Sequence, residues 1–365
     1  MAKAKLKSIA VMTGGGDCPG LNAVIRAVTK TAVNDHGLTV WGIQDGYLGF
    51  IENRIDRLTY EQTSNILTVG GTILGSSNTS DPFHFPVKTG RGTQTKDVSD
   101  RCIEHLKQRD INALVCIGGD GTMASAAKFA KKGLTVIGVP KTIDNDLPGT
   151  DVTFGFDTAV TTATEAIDKV HTTASSHQRV MIVEVMGRYA GWIALYAGAA
   201  SGADVILLPE IPYKLDTVCQ YVIGRSKKGK RFSIIVVSEG AKEKGGQMVV
   251  LKRVANSPDP IRLGGIGEKL AEDINRQTGL DCRAVVLGHV QRGGTPTPHD
   301  RTLATMFGHA AIELLAAGVR NRLVVWKGGG ISSVPLASIA GKIKKVPKNH
   351  PLVRAAKAIG ATFGV

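Results

Sequence analysis

The feature that most constrains this chain is a recurrence of short valine- and isoleucine-rich runs, most of them closed by glycine, proline or a charged cluster, with helical stretches between them. The runs are Ile9 to Met12, Val40 to Ile43, Leu114 to Ile117, Val136 to Val139, Val180 to Val185, Val205 to Leu208, Ile234 to Val237, Val285 to Leu287 and Leu323 to Val325. Period alone does not separate buried strands from buried helices, but short β-branched runs ended by glycine or proline predict strands. Their alternation with helices predicts parallel sheets covered on both faces. Leu21, Val24, Ile25, Val28 and Ala32 fall on one helical face, as do Leu303, Met306, Phe307, Ala310 and Leu314. At 365 residues the chain is longer than one hydrophobic core usually supports. The expected fold is therefore α/β, with two doubly wound α/β/α (Rossmann-like) lobes and a cleft between them. Residues 81–95 and 240–265, rich in Gly, Pro and Lys, are expected as loops or insertions.

The balance of 45 basic against 31 acidic residues gives a formal charge of +14, which favours anionic partners. Sugar phosphates, nucleotides and nucleic acid all qualify. Aromatic content is only 5% and no basic run is interleaved with aromatics, so no nucleic-acid groove is expected. No apolar stretch approaches the roughly 18 residues that span a bilayer, and the basic start 1–7 has no apolar h-region behind it. A cytoplasmic enzyme without membrane contact is expected. The five cysteines, at 18, 102, 116, 219 and 282, form no CxxC pair and no zinc spacing, as free thiols in a reduced compartment would.

Most polar clusters follow an apolar run directly, and in open α/β sheets ligands bind beyond the carboxyl ends of the strands. Pro140-Lys141-Thr142-Ile143-Asp144-Asn145-Asp146 places two carboxylates beside a lysine and a threonine. That set suits a base accepting a hydroxyl proton during in-line transfer, although Asp and Asn before Pro148-Gly149 also suit a plain turn. In Gly118-Gly119-Asp120-Gly121-Thr122 the glycines let backbone N–H groups approach a phosphate, and Asp120 can hold a divalent cation or cap the following helix. Gly14 to Gly20 fits neither the dinucleotide fingerprint, since Pro19 takes the place of its last glycine, nor Walker A, since Leu21-Asn22 follow Gly20. Gly14, Gly15 and Gly16 still suit a phosphate loop, against a simple strand-to-helix turn. Arg179, Arg188, Arg283 and Arg292 sit near the ends or edges of apolar runs, where guanidinium forks bind phosphate or form surface ion pairs. His289 suits substrate contact or a structural hydrogen bond equally.

GGGDCPGLNAVIRAV, GGDGT, PKTIDND, HQR, EVMGRYAGW and GHVQRGGTP occur between about Ile9 and Arg301 in the order of the phosphofructokinase family, which this chain resembles over most of its length. The resemblance implies phosphoryl transfer to the C1 hydroxyl of fructose 6-phosphate, giving fructose 1,6-bisphosphate. By matching motif, Asp144 is the base with Thr142 and Asp146 beside it, Arg188 stabilises the transferred group, and Asp120 holds Mg2+. Gly15, Gly16, Gly119, Gly121 and Thr122 belong to the nucleotide-phosphate loops. Substrate binding falls to Lys141, Thr142, Asp144, Met186, Gly187, Arg188, Glu239, His289 and Arg292. Arg179 and Arg283 reach in from a neighbouring subunit, so a homo-oligomer, tetramer or dimer, is implied.

Two markers of the phosphate donor conflict. Lys141 resembles the diphosphate-using members, whereas Gly121 stands where those enzymes usually carry an aspartate that would oppose a nucleotide's α-phosphate. ATP is the expected donor, in a branch otherwise resembling the diphosphate enzymes; the alternative is diphosphate. Asn78 and His171 replace arginines of well-studied bacterial members, so weak or absent control by ADP and phosphoenolpyruvate is expected. The region from Pro258 to Gly279 lengthens the chain relative to the short bacterial form. ATP and Mg2+ are assigned to a lobe of residues 1–155 plus about 291–338, and the sugar phosphate to 156–290 plus about 339–365. A nicotinamide-dependent oxidoreductase is opposed by the failed glycine fingerprint, and a non-catalytic sugar-phosphate-binding subunit by retention of Asp120 and Asp144.

Overall fold

The computed structural model describes residues 6–90, 92–253 and 261–365. The first part of the chain holds strands β1 (Ser8–Thr13), β2 (Thr39–Ile43), β3 (Ile55–Arg57), β4 (Phe85–Thr89), β5 (Gly92–Lys96), β6 (Ala113–Gly118) and β7 (Thr135–Pro140). Its helices are α1 (Leu21–Asn34), α2 (Tyr47–Glu52), α3 (Ser99–Lys107) and α4 (Asp120–Lys131). Helix α5 (Phe156–His177) leads to β8 (Val180–Val185), α6 (Trp192–Ala200), β9 (Val205–Leu207), α7 (Leu215–Lys227), β10 (Ser233–Ser238), β11 (Val250–Arg253) and β12 (Ile261–Leu263). Then follow α8 (Ile266–Thr278), β13 (Cys282–Val286), a 3-10 turn (Gly288–Arg292), α9 (Pro298–Ala316), β14 (Arg322–Lys327), β15 (Gly330–Pro335), α10 (Leu336–Ile339) and α11 (Pro351–Ala358).

Among the described residues, seven strands form one sheet in the order β15-β14-β7-β6-β1-β2-β3, and four form a second in the order β13-β8-β10-β9. The second is parallel throughout; in the first, only the edge strands β3 and β15 run antiparallel to their neighbours. Successive strand residues point to opposite faces. Ile9 and Val11 accordingly enter a core with Leu21 and Val28 of α1 and Phe307 of α9. Ala10 and Met12 enter another with Leu106 of α3 and Phe129 of α4. In the second sheet Val183 and Val236 pack on α5 and α6, while Ile182 and Ile235 pack on α7 and α8. Both sheets are therefore sandwiched between helices, which explains why their central strands read as largely apolar runs, with Glu184 of β8 as a buried exception. One core cluster passes from the first sheet to the second through α5, α6 and α9, so the two layered halves share an interior.

All nine expected strands are present. Two expectations are corrected, and one segment without an assigned role gains one. Residues 81–95 and 240–265 are not wholly loop, because β4 pairs with β5 and β11 with β12 as antiparallel ribbons. The α9 face is rotated from the expected one: Leu303 and Phe307 are buried, but Met306 is 37% exposed, and Ala304, Gly308, Ala311, Ile312 and Leu315 complete the buried stripe. The reason is that Gly308 lies directly against α1, where an added Cβ would stand 2.7 Å from Ala27 Cβ and 2.8 Å from the Val24 carbonyl, so the packing face centres on the glycine. Finally, the described part of the segment ending at Gly279 contributes a core helix: Ile266, Leu270 and Ile274 of α8 are buried against the second sheet.

Candidate active site

β1, β6, β7, β8, β10 and β13 deliver the segments beyond their carboxyl ends to one cleft of about 800 Å³. Its lining includes Gly15, Gly16, Gly119, Asp120, Gly121, Thr122, Lys141, Thr142, Asp144, Asp146, Met186, Arg188, Glu239, His289 and Arg292, gathered from both sheets. Asp120 and Asp144 thus face a single cavity. Gly187 sits between two lining residues at φ 131°, and its carbonyl accepts a 2.5 Å hydrogen bond from Ser238 Oγ; an added Cβ would meet Ser238 Oγ and the Ala190 carbonyl. Only glycine suits both that backbone and that contact.

The glycine loop after β1 is built around Thr122 and Arg292. Gly14 does not clear a path for a ligand, as its residue type suggested, because Thr122 fills the space a Cβ would take, with Oγ1 2.8 Å from that position. Gly16 makes room for the Arg292 guanidinium, which an added Cβ would overlap. Lys141 is buried; its ammonium donates to the Gly16 carbonyl and its own N–H to the Gly118 carbonyl, 3.0 Å away. Burial lowers its pKa. Lys141 therefore ties the loop after β1 to the loop after β6 from beneath. Asp120 opens α4 as its first residue, and the cap position before it is held by the extended Gly119, which has no side chain to offer. The capping alternative is set aside, and the carboxylate is left at the cleft.

The loop after β7 is a tight turn with Asn145 at φ 49°. Thr142 Oγ1 accepts from the Asp144 N–H at 3.1 Å, and the Thr142 carbonyl accepts from Thr153 Oγ1 at 2.7 Å. This turn aims both carboxylates at the cleft. Burial raises the pKa of Asp144, and Glu239 adds to the rise while Arg292, Arg188 and Lys141 oppose it. Asp146 is likewise raised by burial, then by Asp144 and Asp120. One Asp144 oxygen, Oδ1, is buried without a hydrogen-bond partner among the described residues, as is Arg292 Nε. Such orphaned groups are costly in a fold and mark sites held ready for a ligand or proton. Glu239, also raised by burial, is opposed by Arg188, whose guanidinium carbon lies 5.8 Å from the Tyr189 ring.

Arg179 and Arg283 do not reach this cleft. Arg179 precedes β8 and Arg283 is the second residue of β13, paired with Met181, so both lie at the amino edge of the sheet whose carboxyl edge carries Arg188. They share one partner, Asp281, at 2.5 Å from Arg179 Nε and 2.6 Å from Arg283 Nη1. Six residues of strand separate the two edges by about 20 Å. His171, in α5, lies edge-on to the Phe232 ring at 4.9 Å.

Sequence reasoning missed Asp17, Tyr47, Ser77, Ser80, Asp81, Ala124, Ser125, Lys128 and Tyr189, which also line the cleft together with Asn78. Ala124 and Lys128 follow Asp120 at steps of four, the signal of a shared helical face once the helix start is known. Lys128 also lies 4.9 Å from the Phe83 ring. Among the described residues, a group of His, Asp and Glu spaced for a metal occurs at exposed Asp35, His309 and Glu313, on α9 and just beyond the end of α1, outside the cleft.

The family model for phosphofructokinase matches residues 8–315. The chain belongs to the phosphofructokinase family. It is 53% identical over 363 residues to ATP-dependent 6-phosphofructokinase 2 of Clostridium perfringens, covering 98% of each chain. It is 46% identical over 356 residues to ATP-dependent 6-phosphofructokinase 3 of Bacteroides thetaiotaomicron, covering 98% of this chain and 99% of that one. Among solved structures it resembles a phosphofructokinase from Saccharomyces cerevisiae at 30% identity and a TM-score of 0.77, covering 97% of this chain but 46% of the yeast chain, so it spans about half the length of that relative. A pyrophosphate-dependent phosphofructokinase from Nitrosospira multiformis, 24% identical with a TM-score of 0.78 over 94% of this chain and 87% of that one, shares the fold.

Proposed function

We propose that this phosphofructokinase transfers the γ-phosphoryl group of ATP to the C1 hydroxyl of fructose 6-phosphate, giving fructose 1,6-bisphosphate and ADP, in the cytoplasm and in glycolysis. The observation that carries the reading is the convergence of Asp120, Asp144, Arg188 and Arg292 on one cleft fed by both sheets. The names of the full-length relatives support ATP as donor. Gly121 supports it independently: a Cβ there meets nothing within 4 Å, so the position opens freely into the cleft and leaves space beside the nucleotide phosphates.

In this reading the loops after β1 and β6, with Gly15, Gly16, Gly119, Gly121 and Thr122, present backbone N–H groups to the ATP phosphates. The lobe of residues 1–155 plus about 291–338 carries the nucleotide, and the lobe of 156–290 plus about 339–365 the sugar phosphate. Asp144 accepts the C1 hydroxyl proton as that oxygen attacks, with Thr142 fixing the turn and Asp146 beside it. Arg188 and Arg292 neutralise charge on the transferred group, while Met186, Gly187, Glu239, His289 and Lys141 shape the sugar-phosphate side and its floor.

Asp120 and Asp146 fit Mg2+, because Asp146, whose proton affinity is raised by burial and then by the neighbouring carboxylates Asp144 and Asp120, offers with Asp120 a pair of hard oxygen donors that a divalent cation relieves. When bound, Mg2+ supplies charge neutralisation on the polyphosphate. Arg179 and Arg283, paired through Asp281 about a strand length from Arg188, would serve a neighbouring subunit's sugar 6-phosphate, so the working unit is a homo-oligomer, dimer or tetramer. A coupled assay for fructose 1,6-bisphosphate tests the reading: turnover with ATP, Mg2+ and fructose 6-phosphate is expected. Turnover with diphosphate and none with ATP would overturn the donor; no turnover with either would overturn the function.

A further inference from the structure

Lys344 lies in a lysine-rich stretch between α10 and α11, 199 residues from Asn145 along the chain. Its ammonium is half-buried and donates three hydrogen bonds: to Asn145 Oδ1 at 2.9 Å, and to the Thr150 and Asp151 carbonyls at 3.0 Å each. These use all three of its protons. Its backbone N–H donates to the Asp146 carbonyl at 2.6 Å, while its carbonyl accepts from the indole N–H of Trp192 at 2.9 Å. Trp192 opens α6, directly after the loop carrying Arg188.

The same short segment is fixed to the second sheet's side once more. Glu210 accepts from the Gly191 N–H at 3.1 Å and from the Val346 N–H at 2.8 Å. Lys344 also lies 5.5 Å from the Trp192 ring centroid. Asn145, whose side chain it holds, is the residue in left-handed backbone conformation between the two aspartates. Asn145 Nδ2 donates locally to the Asp151 carbonyl at 3.5 Å, while its Oδ1 is held by a residue from the far end of the chain.

We propose that Lys344 is a positioning residue that locks the turn bearing Asp144 and Asp146 in register with the loop bearing Arg188: its backbone joins Asp146 to Trp192, and its ammonium, bonded to Asn145, Thr150 and Asp151 and set over the Trp192 ring, pins that backbone to the turn. The inference rests on the reading of Asp144 as base and Arg188 as charge stabiliser. Those two groups come from different sheets, and a shift of about 1 Å between base and transferred group can cost about 100-fold in rate. Since Lys344 lines no part of the cleft, its loss should act on the chemical step and leave substrate binding nearly intact.

The test compares steady-state kinetics of the full-length protein with Lys344→Ala, Asn145→Gly, the double variant and Asp144→Asn. Asn145→Gly removes the acceptor while keeping a residue suited to positive φ. Lys344→Ala should lower kcat about 10- to 100-fold with KM for fructose 6-phosphate and ATP within about threefold, and n-propylammonium added to that variant should restore part of kcat. The double variant should lose clearly less than the sum of the two single losses, because the Lys344 Nζ–Asn145 Oδ1 bond is common to both. The proposal is overturned if Lys344→Ala keeps kcat within twofold, if its loss lies in KM, or if the two substitutions add fully. Should Lys344→Ala fail to fold, Asn145→Gly alone decides: a kcat within twofold of wild type overturns the proposal. A collapse in Asp144→Asn with normal Lys344→Ala sinks this inference alone, whereas normal turnover in Asp144→Asn sinks the underlying reading as well.

Discussion

Replacing Asp144 by asparagine should make the protein slower and sturdier at once. A general base contributes about 100- to 10,000-fold to a rate, or ~2.7–5.5 kcal/mol of barrier, so with Asp144 in the proposed role kcat should fall by that factor. Affinity for fructose 6-phosphate should hold, because Arg188, Glu239, His289 and Arg292 remain in place. On the stability side, burial raises the pKa of this carboxyl in the folded state. The folded chain then binds the proton more tightly than the unfolded chain, so ionisation costs stability. That cost is absent below the unfolded pKa, grows as pH rises towards the raised folded value, and is present in full at neutral pH. One buried, unpartnered charged oxygen corresponds to a penalty on the order of 1–3 kcal/mol. Unfolding 365 residues releases an entropy of about 0.8 kcal/mol/K, so relief of that penalty raises Tm by ~1–4 °C. Thermal denaturation of wild type and Asp144→Asn across pH 5 to 8 should show the variant ahead at pH 7.5 and the gap narrowing towards pH 5. A lower Tm for the variant at every pH, or kcat within tenfold of wild type, would refute the reasoning.

Two further outcomes follow from the same geometry. Gly121→Asp places a carboxylate in open cleft space beside Asp120, so KM for ATP should rise at least tenfold while the Tm changes little; unchanged ATP kinetics would show that position 121 does not face the nucleotide. Arg179→Ala with Arg283→Ala in one chain, mixed and reassembled with Asp144→Asn chains, should regain about a quarter of wild-type activity, since a random site then combines one intact base with one intact arginine pair at that frequency. Recovery no greater than the sum of the separate parents would mean that the arginines do not act across a subunit boundary.

Much of this architecture was legible because the central strands are covered on both faces and write themselves as largely apolar runs. The site was legible for a related reason, as the segments after β1, β6, β7, β8 and β10 carry their chemistry where strand ends must converge. The edge strands β3 and β15 escaped notice because each pairs on one side only and has little apolar demand; β15 reads Gly330-Ile331-Ser332-Ser333-Val334-Pro335. The ribbons β4–β5 and β11–β12 are hidden for the same reason. Lys344 was invisible for another: among Lys342, Lys345 and Lys348 it looks like one more solvated lysine, and only tertiary contact reveals three acceptors around it. Likewise Gly14 and Gly16 announced a glycine loop, yet the sequence could not tell that the first accommodates Thr122 and the second Arg292.

The most direct measurement is a crystal structure of the protein with fructose 6-phosphate, Mg2+ and a non-hydrolysable ATP analogue. The account predicts the C1 hydroxyl oxygen about 2.6–3.2 Å from the Asp144 carboxylate and in line with the γ-phosphorus, with Asp120 on the metal side of the same cavity. A sugar bound with C1 turned away from Asp144, or a nucleotide seated outside the cleft that Asp120 and Asp144 share, would contradict it.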